Sequence, residues 1–162
     1  MLFLLLVPYA VWALCAVCDV SAFRIPNRYI VVLMVAWPAA LVLTGAGWDV
    51  MVGGLITGGL FLLVGFALFT ANLLGAGDAK LMAASGLWLG PAAAVPFLLY
   101  TTLSGAALGL LLLRLRAVPL PVFARGWPWL VQLHARERVM PYGVAIAVGG
   151  IIALPRAALI GG

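Results

Sequence analysis

Residues 50–71 read VMVGGLITGGLFLLVGFALFTA, without one charged side chain. About 20 apolar residues in a helix cross the hydrocarbon core of a bilayer, so this stretch is long enough to span one. Its apolar residues follow one another without alternating, which excludes a strand of a membrane barrel. Similar runs lie on either side, at 2–18, about 29–44, about 80–89, 92–113 and about 141–160. Polar or glycine- and proline-marked segments separate them: 19–28, 45–49, 72–80, the pair Gly90-Pro91, and 114–140. The pattern predicts an all-α polytopic membrane protein, a bundle of six transmembrane helices. Residues 1–162 form a single membrane-embedded domain with no soluble domain.

Composition points the same way. The chain is 67% hydrophobic and 8% charged, against roughly 45–50% and 25% for a soluble domain. Too few polar side chains exist to cover such a chain in water, so its surroundings are the lipid bilayer. Nucleic-acid binding is excluded as its main business, despite a net charge of +5. The basic excess has another explanation. All but Arg156 of the 9 lysines and arginines fall after the first, third and fifth runs: Arg24, Arg28, Lys80, Arg114, Arg116, Arg125, Arg136 and Arg138. By the positive-inside rule those loops are cytoplasmic and both termini extracytoplasmic. The first run lacks a basic lead-in and a small-residue cleavage site, so it reads as a retained span and not a signal peptide.

Metal chemistry finds no ligand set. Cys15 and Cys18 share one helix face but offer only two ligands, and His134 is the sole histidine, whereas zinc takes four ligands or three plus water. Neither metal nor cofactor is expected. In the fifth loop, Trp127, Trp129 and Leu133 alternate with Arg125, His134 and Arg136; this suits either a segment lying among lipid headgroups or a solvated loop. Gly54-x-x-x-Gly58 and Gly105-x-x-x-Gly109 allow close helix packing and say nothing of chemistry.

The acids are Asp19, Asp49, Asp78 and Glu137. Carboxylates at a membrane edge are costly and need a reason. Asp19 and Asp78 each follow an odd-numbered span and so lie on one side, with Asp49 on the other. Two carboxylates brought close together share a proton. The ionised member then deprotonates water while the protonated member donates to the carbonyl under attack. No serine or cysteine has a partner base for a nucleophilic triad. Structural roles compete: Asp78 can cap or open the fourth helix, and Asp19 can pair with Arg24 or Arg28. Gly75 and Gly77 set Asp78 on a turn that another backbone can approach. Pro26 and Asn27 read as a turn and cap ahead of the second helix. Lys80 can hold the ionised Asp78, contact substrate, or anchor the cytoplasmic side.

Asp19 with Ile25-Pro26-Asn27, then Gly75-Ala76-Gly77-Asp78-Ala79-Lys80-Leu81-Met82, then Met140-Pro141-Tyr142-Gly143, in this order, resembles the type IV prepilin peptidases. The closest likeness is to the short form serving Flp/tight-adherence pilus systems. The resemblance implies a G-x-G-D aspartyl endopeptidase with Asp19 and Asp78 as the catalytic pair. Gly75, Gly77, Lys80, Asn27, Pro141, Tyr142 and Gly143 would shape the site or bind substrate. It implies prepilin or pseudopilin partners, whose short basic leader precedes an apolar helix. It also implies a bacterial or archaeal cytoplasmic membrane and cleavage at its cytoplasmic face. Long members carry an N-terminal extension with paired C-x-x-C motifs tied to N-methylation. This chain opens directly into its first span, so methylation is not expected of it.

Two other readings stay open. A presenilin-like G-x-G-D protease would place its first aspartate in a Tyr-Asp pair and carry Pro-Ala-Leu later; here Asp19 follows Cys18 and the late motif is Pro141-Tyr142-Gly143. A small carrier or scaffold could also use buried carboxylates, though a carrier would want them near the midplane on broken helices.

Overall fold

The computed structural model describes residues 2–119, 126–135 and 140–161, with side chains from 6 to 119, 126 to 135 and 140 to 159. Arg125, Arg136, Glu137 and Arg138 of the fifth loop lie outside the described residues. Among the described residues the structure is all-helical and no strand forms. The elements are α1 (Leu2–Ala22), α2 (Asn27–Thr44), α3 (Trp48–Thr70), α4 (Ala76–Arg116), α5 (Pro128–Ala135), α6 (Tyr142–Ala153), a 3-10 turn (Leu154–Arg156) and α7 (Ala158–Gly161).

The long α4 is two helices in one. Gly90 sits at φ 60° and ψ −174°, a conformation open to glycine and strained for other residues. Pro91 then begins the second half, where its missing N–H costs nothing. The neighbours show that the chain reverses here. Along α3, Gly65 lies against Ala79 and Gly54 against Leu87, so α3 runs antiparallel to residues 76–89. Along α6, Tyr142 meets Gly105 while Gly149 meets Phe97, so residues 91–116 run antiparallel to α6. Likewise α1 runs antiparallel to α6, with Asp19 beside Gly143 and Trp12 beside Gly150. The turn expected at Gly90-Pro91 is therefore a hairpin between two helical arms.

Small residues let these arms touch. A Cβ added to Gly86 would stand 2.8 Å from the Gly58 Cα, so α3 and the first arm of α4 meet backbone to backbone. Buried indoles tie the remaining helices and keep their N–H groups satisfied. Trp12 Nε1 donates to Ser85 Oγ at 2.9 Å, and Trp88 Nε1 donates to the Leu33 carbonyl at 3.0 Å.

The outer surface is apolar. Val35 and Leu63, on different helices, are each 66% exposed, and many neighbouring valines and leucines are exposed with them; contiguous apolar surface of this extent needs an apolar solvent. Asn27–Thr44, Trp48–Thr70 and Ala76–Arg116 are each long and apolar enough to cross a membrane, and Leu6–Ala22 and Tyr142–Arg156 are shorter apolar helices. Arg24, Arg28, Lys80, Arg114 and Arg116 gather at the end of the bundle that holds Asp19, while Asp49 lines a small cavity with Gly90 and Pro91 at the other end.

Within the fifth loop the described residues include a short helix. Residues 128–135 form α5, with Leu133 buried and its carbonyl accepting from Arg116 Nε at 3.2 Å. Trp127 and Trp129 stack with ring centroids 6.3 Å apart. His134 is half-buried at the helix end.

Candidate active site

The sequence places Asp19 in the polar stretch after the first span. In the structure α1 continues through it to Ala22, so Asp19 is a helical residue, 5% exposed. Its Oδ2 accepts a 2.6 Å hydrogen bond from the Gly143 backbone N–H at the start of α6. Neither Arg24 nor Arg28 forms an ion pair with Asp19 among the described residues. That fit requires a glycine. A Cβ at residue 143 would come within 2.8 Å of both Asp19 Oδ2 and Ile25 Cδ1. Pro141, fully buried, is the N-cap of α6 and sets the approach of that amide.

Asp78 arrives from the other direction. Ala76 begins α4 and Asp78 stands in its first turn, one of the two helix-start positions the sequence offers it, 8% exposed. Gly75 is the N-cap, extended at ψ 149°, and the Asp78 carboxylate turns back toward it, with Oδ2 2.8 Å from where a Gly75 Cβ would stand. An acid in the first turn suits the positive end of the helix dipole. Asp78 Oδ1 is buried without a hydrogen-bond partner among the described residues, and buried polar atoms rarely stay unpaired unless a site needs them. Asp19 and Asp78 come together on the walls of the same cavities.

Asn27 departs from its expected role. Pro26, at φ −64°, is the N-cap of α2, and no side chain caps that helix. The Asn27 Oδ1 instead accepts from Lys80 Nζ at 3.3 Å, tying the Ile25-Pro26-Asn27 turn to the start of α4. Lys80 makes this bond and no ion pair with Asp78 among the described residues. Gly77 packs against the same turn, where an added Cβ would stand 3.3 Å from Ile25 Cβ.

Both acids line a cleft of about 700 Å³ together with Arg24, Asn27 and Lys80, within the usual range of ligand sites. A second cavity of about 310 Å³ adjoins it, lined by Phe69, Leu73, Met140 and Tyr142, and shares both aspartates. The lining includes residues that sequence reasoning missed. Phe23, on both cavities, ends α1 at φ 51°; no glycine or asparagine marks that exit in the sequence. Phe69, Leu73 and Met140 look like ordinary span-edge residues. Among the described residues no three His, Cys, Asp or Glu side chains gather, so the acids stand as a pair.

A profile of the type IV leader peptidase family matches residues 6–110. The chain belongs to the type IV leader peptidase family. The matched segment of this leader peptidase carries Asp19, the Ile25-Pro26-Asn27 turn and Gly75 to Lys80, while Pro141, Tyr142 and Gly143 lie beyond it. Neither curated proteins nor solved structures yield a match to the chain.

Proposed function

We propose that this leader peptidase is an aspartyl endopeptidase that removes the short basic leader from Flp-like prepilins. Asp19 and Asp78 are its acid–base pair. The observation that carries this reading is the convergence of two buried carboxylates, from α1 and α4, on one cleft. The pair shares one proton. The ionised carboxylate takes a proton from water as its oxygen attacks the scissile carbonyl carbon, and the protonated carboxyl gives its proton to the carbonyl oxygen. Collapse of the tetrahedral diol breaks the C–N bond, with a proton passing to the leaving amine. The Gly143 amide orients one carboxylate, and the first turn of α4 carries the other. Positions fixed in this way supply the pre-paid orientation that lowers the barrier.

In the same reading, six segments cross the bilayer alternately, with Gly90 turning the fourth into the fifth. Both termini are extracytoplasmic and the aspartates sit at the cytoplasmic edge. Support comes from five of the six described basic residues, which gather at that end while Arg156 does not. The placement at one end of the bundle also favours a peptidase over a carrier, whose acids belong near the midplane. The test is direct: purified protein in detergent, given a prepilin substrate with no energy source or ion gradient, releases the leader. Failure to cleave under conditions where the protein is folded would contradict the reading.

A further inference from the structure

The two cavities meet at Asp19, Phe23, Gly75 and Asp78. Gly75 has no side chain, so Phe23 is the one side chain at this junction that is not an acid. Its backbone lies at φ 51°, in the left-handed region where a bulky residue is strained. Such helix exits favour glycine or asparagine. This chain follows that preference elsewhere, with Gly45 at φ 66° after α2 and Asn72 at φ 58° after α3. Ending a helix therefore gives no reason for a phenylalanine at 23. The strained position holds an aromatic ring beside two buried acids, and strain of this sort collects at functional sites.

The lobes on either side differ in chemistry. One presents Arg24, Asn27 and Lys80, the other Phe69, Met140 and Tyr142. A peptide lying across the aspartates passes from one lobe into the other beside the Phe23 ring. Moving such a chain by one residue displaces it by about 3.3–3.6 Å, more than an acid–base group within hydrogen-bond reach tolerates. We propose that Phe23 is a specificity-determining residue: its ring packs on the substrate next to the scissile bond and fixes which peptide bond lies over Asp19 and Asp78. This rests on the aspartyl-peptidase reading of the same cleft.

The test uses the full-length protein and a prepilin substrate, with products mapped by mass spectrometry. Phe23→Gly keeps the left-handed turn without strain, and its thermal unfolding is measured beside that of the parent so that cleavage is compared where both are folded. It is expected to cut several adjacent bonds where the parent cuts one, with KM raised roughly tenfold. Phe23→Asn, which also accepts the left-handed turn, gives the same spread and guards against a loosened turn in the glycine variant. Phe23→Tyr restores the single product. A purely structural role predicts lost stability with an unchanged cleavage position. Cleavage at the single parental bond with parental KM in either the glycine or the asparagine variant overturns the proposal. Folded variants of both kinds that bind substrate normally and cut nothing also overturn it. Asp19→Asn, run alongside, separates the two levels: continued cleavage there defeats the aspartyl reading itself, whatever Phe23 does.

Discussion

The backbone N–H of Gly143 donates to Asp19 Oδ2 at 2.6 Å across 124 residues of sequence. One end of the chain thus positions a carboxylate near the other, and α6 becomes part of the site without contributing a reactive side chain. The contact leaves no room for a methyl group, since a Cβ there would stand 2.8 Å from the carboxylate oxygen it serves.

Gly143→Ala should therefore pull α6 away from Asp19. A misplacement of about 1 Å costs on the order of 100-fold in rate, and overpacking costs about 1–3 kcal/mol of stability. Cleavage assayed well below the melting temperature separates the two effects. Parental kcat/KM in this variant would remove the Gly143 amide from the account.

The acids should behave as a unit. Asp19→Asn combined with Asp78→Asn should cleave no more slowly than either single variant, because residues acting together are grossly non-additive. Asp49→Asn, at the far end beside Gly90, should cleave at near the parental rate. Independent, multiplying losses at residues 19 and 78 would show that the carboxylates do not share one step.

The pH profile of kcat/KM should be bell-shaped. At low pH the ionised carboxylate gains a proton and can no longer activate water; at high pH the shared proton is lost and none remains for the carbonyl oxygen. Both limbs belong to the pair, not to either residue alone. The profile should be the same with a chelator present, since two carboxylates activate water unaided. A sigmoidal profile, or activity lost to chelation and restored by zinc, would point to a different catalytic set.

Long, strongly apolar runs made most of the helices legible, and Gly90-Pro91 marked the hairpin because those residues leave few backbone options. The two helix ends carrying the acids were harder to read. A polar residue inside a helix end looks like the start of a loop, which is why the sequence puts Asp19 in a connection although it is helical. Asn27 illustrates a second limit. A residue suited to capping was read as a cap, yet Pro26 holds that position and the Asn27 side chain reaches Lys80 on another helix. Phe23 carried no local signal at all, because its strained turn depends on the surrounding helices and not on its own preference. Asp19 and Asp78 follow the first and third apolar runs of the sequence, and in the structure both line one cleft.

The most direct test of the acid–base pair is the rate at which Asp78→Asn cleaves a prepilin. Asparagine keeps the side-chain shape and an acceptor oxygen, but it neither takes nor delivers the catalytic proton. The variant must be matched to the parent for membrane abundance, because a weakened helix start costs about 0.5–2 kcal/mol and can imitate lost catalysis. At equal abundance, the pair of acids predicts no leader release above background. Release at a rate near that of the parent would contradict it.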